Sequence, residues 1–195
     1  MVALGSVAPP FELLDVISGR GMSRDDVFAG AGDGSGSGTA KGLLVMFVCV
    51  HCPYVKHIEQ ELARIGVDYE GKIAIAAIQS NDTEQYPEDG PAGMKEQAAR
   101  LGFRFPYLLD ELQEVAREYD AACTPDFFLF DGEMRLVYRG QLDDSRPRRG
   151  DAGNDVSVTG KDLRAAMDDV IAGSMPDANQ RTSLGCNIKW KQHVR

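Results

Sequence analysis

The order of elements predicts a three-layer α/β fold with a mixed central sheet. Three observations predict it. The apolar run Leu43–Val48 has the length and two-sided hydrophobicity of a buried strand, and a helical stripe follows it directly. Further strand and helix patterns then alternate, and strand–helix–strand connections imply parallel pairing with right-handed crossovers. Last, Asp126–Phe130 and Met134–Arg139 flank an Asp131-Gly132 turn signal, so an antiparallel hairpin joins the sheet.

Residues 1–29 read as an N-terminal extension with a short strand near Phe11–Leu14, after Pro9-Pro10. The stretch 30–42 is rich in Gly and Ser and reads as a solvated loop. It lacks the spacing and the strand-to-helix setting of a phosphate-binding loop. After the central strand, Pro53 suits an early helical position, where its missing N–H costs nothing. Val55, Ile58, Leu62 and Ile65 form the apolar stripe, and Gly66 is the expected stop. A strand is expected over Lys72–Gln79, and a helix from Pro91 closed by Gly102. A short strand within Phe103–Leu109 and a helix over Leu112–Tyr119 come next. Thr159-Gly160-Lys161-Asp162 resembles a capping box and opens a helix ending at Gly173. The expected division is one domain, 1–173, with a tail, 174–195, packed on it.

Composition narrows the function. The chain has 195 residues, 43% hydrophobic content and a net charge of −9. That hydrophobic content can fill a core. The acidic balance disfavours nucleic acid and anionic membranes as partners. No stretch reaches the about 18 apolar residues of a membrane span. The first residues lack a basic and apolar leader, so a cytoplasmic location is expected. In a reducing cytosol the four cysteines, Cys49, Cys52, Cys123 and Cys186, point to redox or metal roles rather than structural disulfides.

Cys49-Val50-His51-Cys52-Pro53 carries the chemistry. A Cys-x-x-Cys between a buried strand and a helix suits thiol–disulfide exchange. Free backbone N–H groups and the helix dipole there stabilise a thiolate. Cys49 is the expected nucleophile, the more exposed sulfur with a lowered pKa, and Cys52 resolves the mixed disulfide. His51, if protonated, adds to thiolate stabilisation and makes the disulfide more oxidising than the roughly −270 mV of thioredoxin. A solvent-exposed imidazole with little effect is the plain alternative. Cys123 and Cys186 are candidate auxiliary thiols, or simply buried apolar cysteines. Cys49, Cys52 and His57 could form a metal set, but their spacing argues against reach, and no metal or cofactor is expected. Asn81, Asp82 and Glu84 follow a strand end, where α/β sites gather, and Asp82 is a candidate acid or base. Asp143, Asp144 and Arg146 are expected to form a rim or to contact the tail.

These stretches resemble a family. The strand–Cys-x-x-Cys–helix unit followed by Thr124-Pro125 before a hairpin is similar to the thioredoxin superfamily. More closely, the chain resembles the bacterial thioredoxin-like redoxins of the AhpC/TSA group. The stretches that carry this are 47–56, Tyr86-Pro87-Glu88-Asp89, 123–130, 138–147 and 185–190. The resemblance implies a thioredoxin fold and a cis Pro125 facing the dithiol. It also implies that Thr124 offers backbone groups to an extended substrate. Expected partners are a protein or small-molecule disulfide, or a peroxide, and a thiol reductant. Some positions depart from the pattern. Val48 replaces the Trp before the first cysteine, and Leu43 stands where thioredoxin has a buried Asp. Gly42 and Met46 replace the Pro and Thr that activate peroxide in peroxiredoxins. Thiol–disulfide exchange is therefore the first expectation. A peroxiredoxin-like peroxidase and a metal-binding or sensing module are the alternatives.

Overall fold

A computed structural model of the chain describes residues 2–31, 40–148 and 153–192. The chain opens with a hairpin, β1 (Glu12–Asp15) and β2 (Arg20–Ser23), and a short helix, α1 (Arg24–Gly30). Ser23 caps α1: its Oγ accepts the Asp26 N–H at 3.0 Å, and the Asp26 carboxylate accepts the Ser23 N–H at 2.9 Å. The extension thus holds a strand and a helix beyond the single strand expected there. Residues 32–39 of the expected Gly/Ser loop lie outside the described residues.

The central strand is β3 (Gly42–Phe47), followed by α2 (Pro53–Asp68), β4 (Ala74–Gln79), α3 (Pro91–Leu101) and β5 (Tyr107–Leu109). Both crossovers produce parallel pairs, β3 with β4 and β4 with β5. A short helix, α4 (Glu114–Glu118), leads to β6 (Cys123–Thr124). The hairpin of β7 (Asp126–Asp131) and β8 (Leu136–Gly140) follows, then α5 (Lys161–Ala172) and β9 (Cys186–Asn187). The main sheet has the order β2-β1-β5-β4-β3-β7-β8, with β7 antiparallel to β3. A separate two-stranded ladder joins β6 to β9. The fold is the mixed α/β arrangement that the sequence predicts.

Side-chain alternation on β3 supplies both cores. Leu44 and Met46 pack with residues of α2, α3 and α5, whereas Leu43, Val45 and Phe47 pack with residues of α1 and α4. The sheet is therefore covered on both faces. No helix among the described residues is long and apolar enough to cross a membrane.

Two helix ends differ from expectation. Helix α2 runs through Gly66 to Asp68. A Cβ at Gly66 would lie 2.8 Å from the Phe105 ring, so this glycine permits close packing and does not stop the helix. At α5, Thr159 forms no capping box; Gly160 takes the N-cap with φ 67°. The cap comes from outside instead, because Asp143 Oδ2 accepts the N–H groups of Thr159 and Gly160, each at 2.7 Å.

Candidate active site

The chain leaves β3 into Val48 and Cys49 and enters α2 with Cys52 as N-cap and Pro53 in the first turn. Both cysteines are 0% exposed, so the expectation of an exposed Cys49 does not hold. Both reach one residue of β6. Cys49 Sγ lies 3.3 Å from Thr124 Oγ1, and Cys52 Sγ donates to the Thr124 carbonyl at 3.2 Å. The Thr124–Pro125 peptide is cis, in line with the resemblance. The four cysteines stand as thiols.

Asp89 organises the other side, and the sequence reading gave it no role. It ends a 3-10 turn, Pro87–Asp89, and is fully buried. Its Oδ1 accepts the N–H groups of Val50 and His51, at 2.8 and 2.9 Å. These are the amides between the cysteines, so the carboxylate fixes the active loop. Its Oδ2 meets His51 Nδ1 at 2.5 Å and accepts Asn81 Nδ2 at 2.9 Å. The His51 ring also stacks on Tyr86, with centroids 4.7 Å apart. His51 is therefore held on two sides rather than loose in solvent.

The two thiols titrate as a pair, and the hydrogen that Cys52 gives to Thr124 is the one lost first. Their mutual hydrogen bond favours a thiolate at Cys52, with burial opposing and the nearby amides of Val55 and Cys186 assisting. The same bond pushes Cys49 up, and burial and the Asp89 charge push it further. This is the reverse of the lowering expected at Cys49. Such a pair loses its first proton more easily than a lone thiol and its second with more difficulty.

The other candidates are placed as follows. Cys123, on β6, is buried, and burial pushes its thiol up to about 12. Cys186, on β9, pairs with Thr124 across the ladder. Asp82 pins the tail with its backbone, its N–H donating to the Lys189 carbonyl at 2.8 Å, and its carboxylate accepts the Glu84 N–H at 3.0 Å. Asn81 is the residue of that loop that reaches the site. Asp144 contacts the tail through Arg181 at 2.5 Å, and Asp143 serves α5. His57 lines a shallow cleft with Tyr54, Pro125 and Arg146. The donors that gather are Cys49, His51 and Asp89, all within 4.8 Å of one another. His57 is not among them. Because each Asp89 oxygen already accepts two hydrogen bonds, ligation there would mean giving some of them up.

Residues 4–139 match the AhpC/TSA family. The chain belongs to the AhpC/TSA family. Among solved structures, this AhpC/TSA protein is similar to an uncharacterized conserved protein from Geobacillus kaustophilus. The two are 48% identical over 100% of this chain and 95% of that one, with a TM-score of 0.88. It is also similar to a hypothetical protein from Sinorhizobium meliloti 1021, 41% identical over 98% of this chain and 96% of that one, with a TM-score of 0.87. The thioredoxin domain of a thiol-disulfide oxidoreductase from Bacteroides vulgatus shares the fold. It is 19% identical over 71% of this chain and 89% of that one, with a TM-score of 0.52. A search of curated proteins gives no match. As a thioredoxin-like redoxin, this AhpC/TSA protein has a redox role in general terms.

Proposed function

We propose that the protein is a thiol–disulfide oxidoreductase that cycles Cys49 and Cys52 between dithiol and disulfide. The observation that carries the reading is the convergence of both sulfurs on Thr124, at 3.3 and 3.2 Å, beside the cis Pro125. In this cycle the remaining proton passes from Cys49 to Cys52. The Cys49 thiolate attacks one sulfur of a substrate disulfide, forms a mixed disulfide and releases the first substrate thiolate. Cys52 then loses its proton and attacks the Cys49 sulfur. The second substrate thiolate leaves, the substrate has gained two electrons, and Cys49–Cys52 is a disulfide. A cytoplasmic thiol reductant returns it to the dithiol. A peroxide acceptor is the second reading for a redoxin of this kind and has weaker support. Gly42 and Met46 lie in β3, at the positions where the activating Pro and Thr would be needed.

In this reading Asp89 and His51 manage charge. When protonated, His51, with Nδ1 2.5 Å from Asp89 Oδ2, offsets the Asp89 charge that opposes a Cys49 thiolate. The test is a glutathione redox titration of the full chain, with alkylation and peptide mapping of all four cysteines. A reversible Cys49–Cys52 disulfide is expected, at a midpoint less negative than roughly −270 mV. Failure of that disulfide to form removes the reading. In the His51→Ala variant the midpoint should become more negative, and an unmoved midpoint would end the role assigned to His51.

A further inference from the structure

The tail occupies the edge that the resemblance reserves for substrate. Strand β9 pairs antiparallel with β6, with Thr124 opposite Cys186 and Cys123 opposite Asn187. The backbone groups of Thr124 that an extended substrate would use are thus already engaged by this chain. Gly185 lies so close that a Cβ there would overlap the Thr124 carbonyl and come within 3.0 Å of the Pro125 nitrogen. The Cys186 amide lies against the Cys52 sulfur, and both active cysteines are completely covered. Upstream, Ser183 and Leu184 form one wall of the cleft whose other side holds Pro125, Tyr54 and His57.

The segment is anchored on both sides: upstream, Ser183 Oγ donates to the Gly140 carbonyl at 2.7 Å and the Arg181 carbonyl accepts the Gln141 N–H at 2.8 Å. Ile188 is buried, 3% exposed, in the core that covers one sheet face. Lys189 donates to Asn81 Oδ1 at 2.9 Å, and its carbonyl accepts from Asp82 N and Gln113 Nε2, each at 2.8 Å. Lys191 N donates to Gln113 Oε1 at 2.8 Å. Between these anchors and Ser183, the contact with Thr124 is a ladder of two residues, too short to be stable by itself.

We infer that Gly185–Asn187 holds, from within the chain, the strand position taken by an extended polypeptide substrate, which must replace it to reach the dithiol. The inference rests on the thiol–disulfide reading and names its substrate class. Main-chain pairing is largely indifferent to side chains, so a foreign strand can repeat what the tail does. A strand that docks there brings its disulfide to Cys49. Withdrawal of the Cys186 amide also removes one of the groups that favour charge on Cys52, which eases the proton shift that arms Cys49. A small disulfide makes no ladder with Thr124, so it has nothing to offer in exchange for the tail.

Two variants of the full chain test this. Gly185→Val forces the strand off Thr124, and Ile188→Ala loosens the same strand at its buried anchor without touching Thr124. In the reduced proteins, iodoacetamide should alkylate the Cys49–Cys52 pair about tenfold faster than in the parent, the effect of losing about one hydrogen bond of restraint. Reduction of 2-hydroxyethyl disulfide should accelerate similarly, and more than reduction of a linear peptide with one intermolecular disulfide, which already supplies a strand in the tail's place. Unchanged alkylation in both variants overturns the strap. Faster alkylation with an equal gain for both disulfides overturns the polypeptide assignment. A third measurement needs no tail variant: in Cys52→Ala trapped as a mixed disulfide with the peptide, amide exchange at Cys186 and Asn187 should accelerate, and unchanged protection there also overturns the exchange. If the redox titration gives no Cys49–Cys52 disulfide while alkylation still accelerates, the exchange reading fails and the strap stands. The two failures are therefore distinguishable.

Discussion

On one side of the dithiol, Asp89 accepts four hydrogen bonds in a fully buried site; on the other, the tail meets Thr124 through a ladder of two residues. The Asp89 side grows out of the core. Gln79, at the end of β4, donates to the Asp89 carbonyl at 2.9 Å, so a central strand holds the carboxylate in place. The tail side ties back through one buried side chain, Ile188, polar bonds at Lys189, and bonds of Arg181 and Ser183 to the end of the hairpin. A removed partner inside the first wall leaves a buried charge or amide unpaired, which is costly. A strand lifted from the second returns its groups to water. The difference teaches that a reactive pair can be held rigidly on its structural face while its open face is closed by something exchangeable.

The comparison can be broken most severely at Asp89. Asp89→Asn keeps the shape but turns one oxygen into a donor facing Asn81 and His51. It should cost about 2–4 kcal/mol of stability, as expected when a buried charged acceptor loses its partners. Urea denaturation measures this. The same variant removes the negative charge that opposes a Cys49 thiolate, so the alkylation profile of the pair should move to lower pH. A second substitution sharpens the contrast, because Asn81 touches both walls: it donates to Asp89 and accepts from Lys189 N. Asn81→Ala should cost about 1–2 kcal/mol. It should speed amide exchange at Lys189 and also widen the pH response of the dithiol. The smallest effect belongs to the tail alone. Arg117 lies 5.0 Å over the Trp190 ring, and Arg117→Ala should cost about 0.5–1 kcal/mol at this exposed site. Its signature is faster exchange in the tail with an unchanged dithiol titration.

Much of the fixed part was legible in the sequence because it is local. Leu43–Val48, Cys49-x-x-Cys52 and Pro53 lie in one continuous stretch, and periodicity alone places a strand, a turn and a helix there. Thr124-Pro125 was legible through resemblance. Asp89 escaped because it lies far along the chain in a polar loop with no period, although it sits inside the quoted stretch Tyr86–Asp89. Its signal was available only as a buried-acid need: the amides between the cysteines must find an acceptor. Helix α1 escaped although Ser23 and Asp26 carried a readable capping box. The box expected at Thr159 failed because Asp143, from a distant loop, supplied the acceptor first. The β6–β9 ladder was invisible because two residues have no periodicity.

Trp190 is the single tryptophan of the chain, and it sits three residues beyond the tail strand, between the anchoring Lys189 and Lys191, with Arg117 over its ring. The protein therefore carries its only indole at the anchor of the exchangeable strand, while the fixed wall carries the Tyr86 ring stacked on His51. An opening that also frees this anchor separates the indole from the guanidinium and changes its emission. Opening can then be timed by stopped-flow fluorescence in the unlabelled protein, independently of whether a sulfur has reacted.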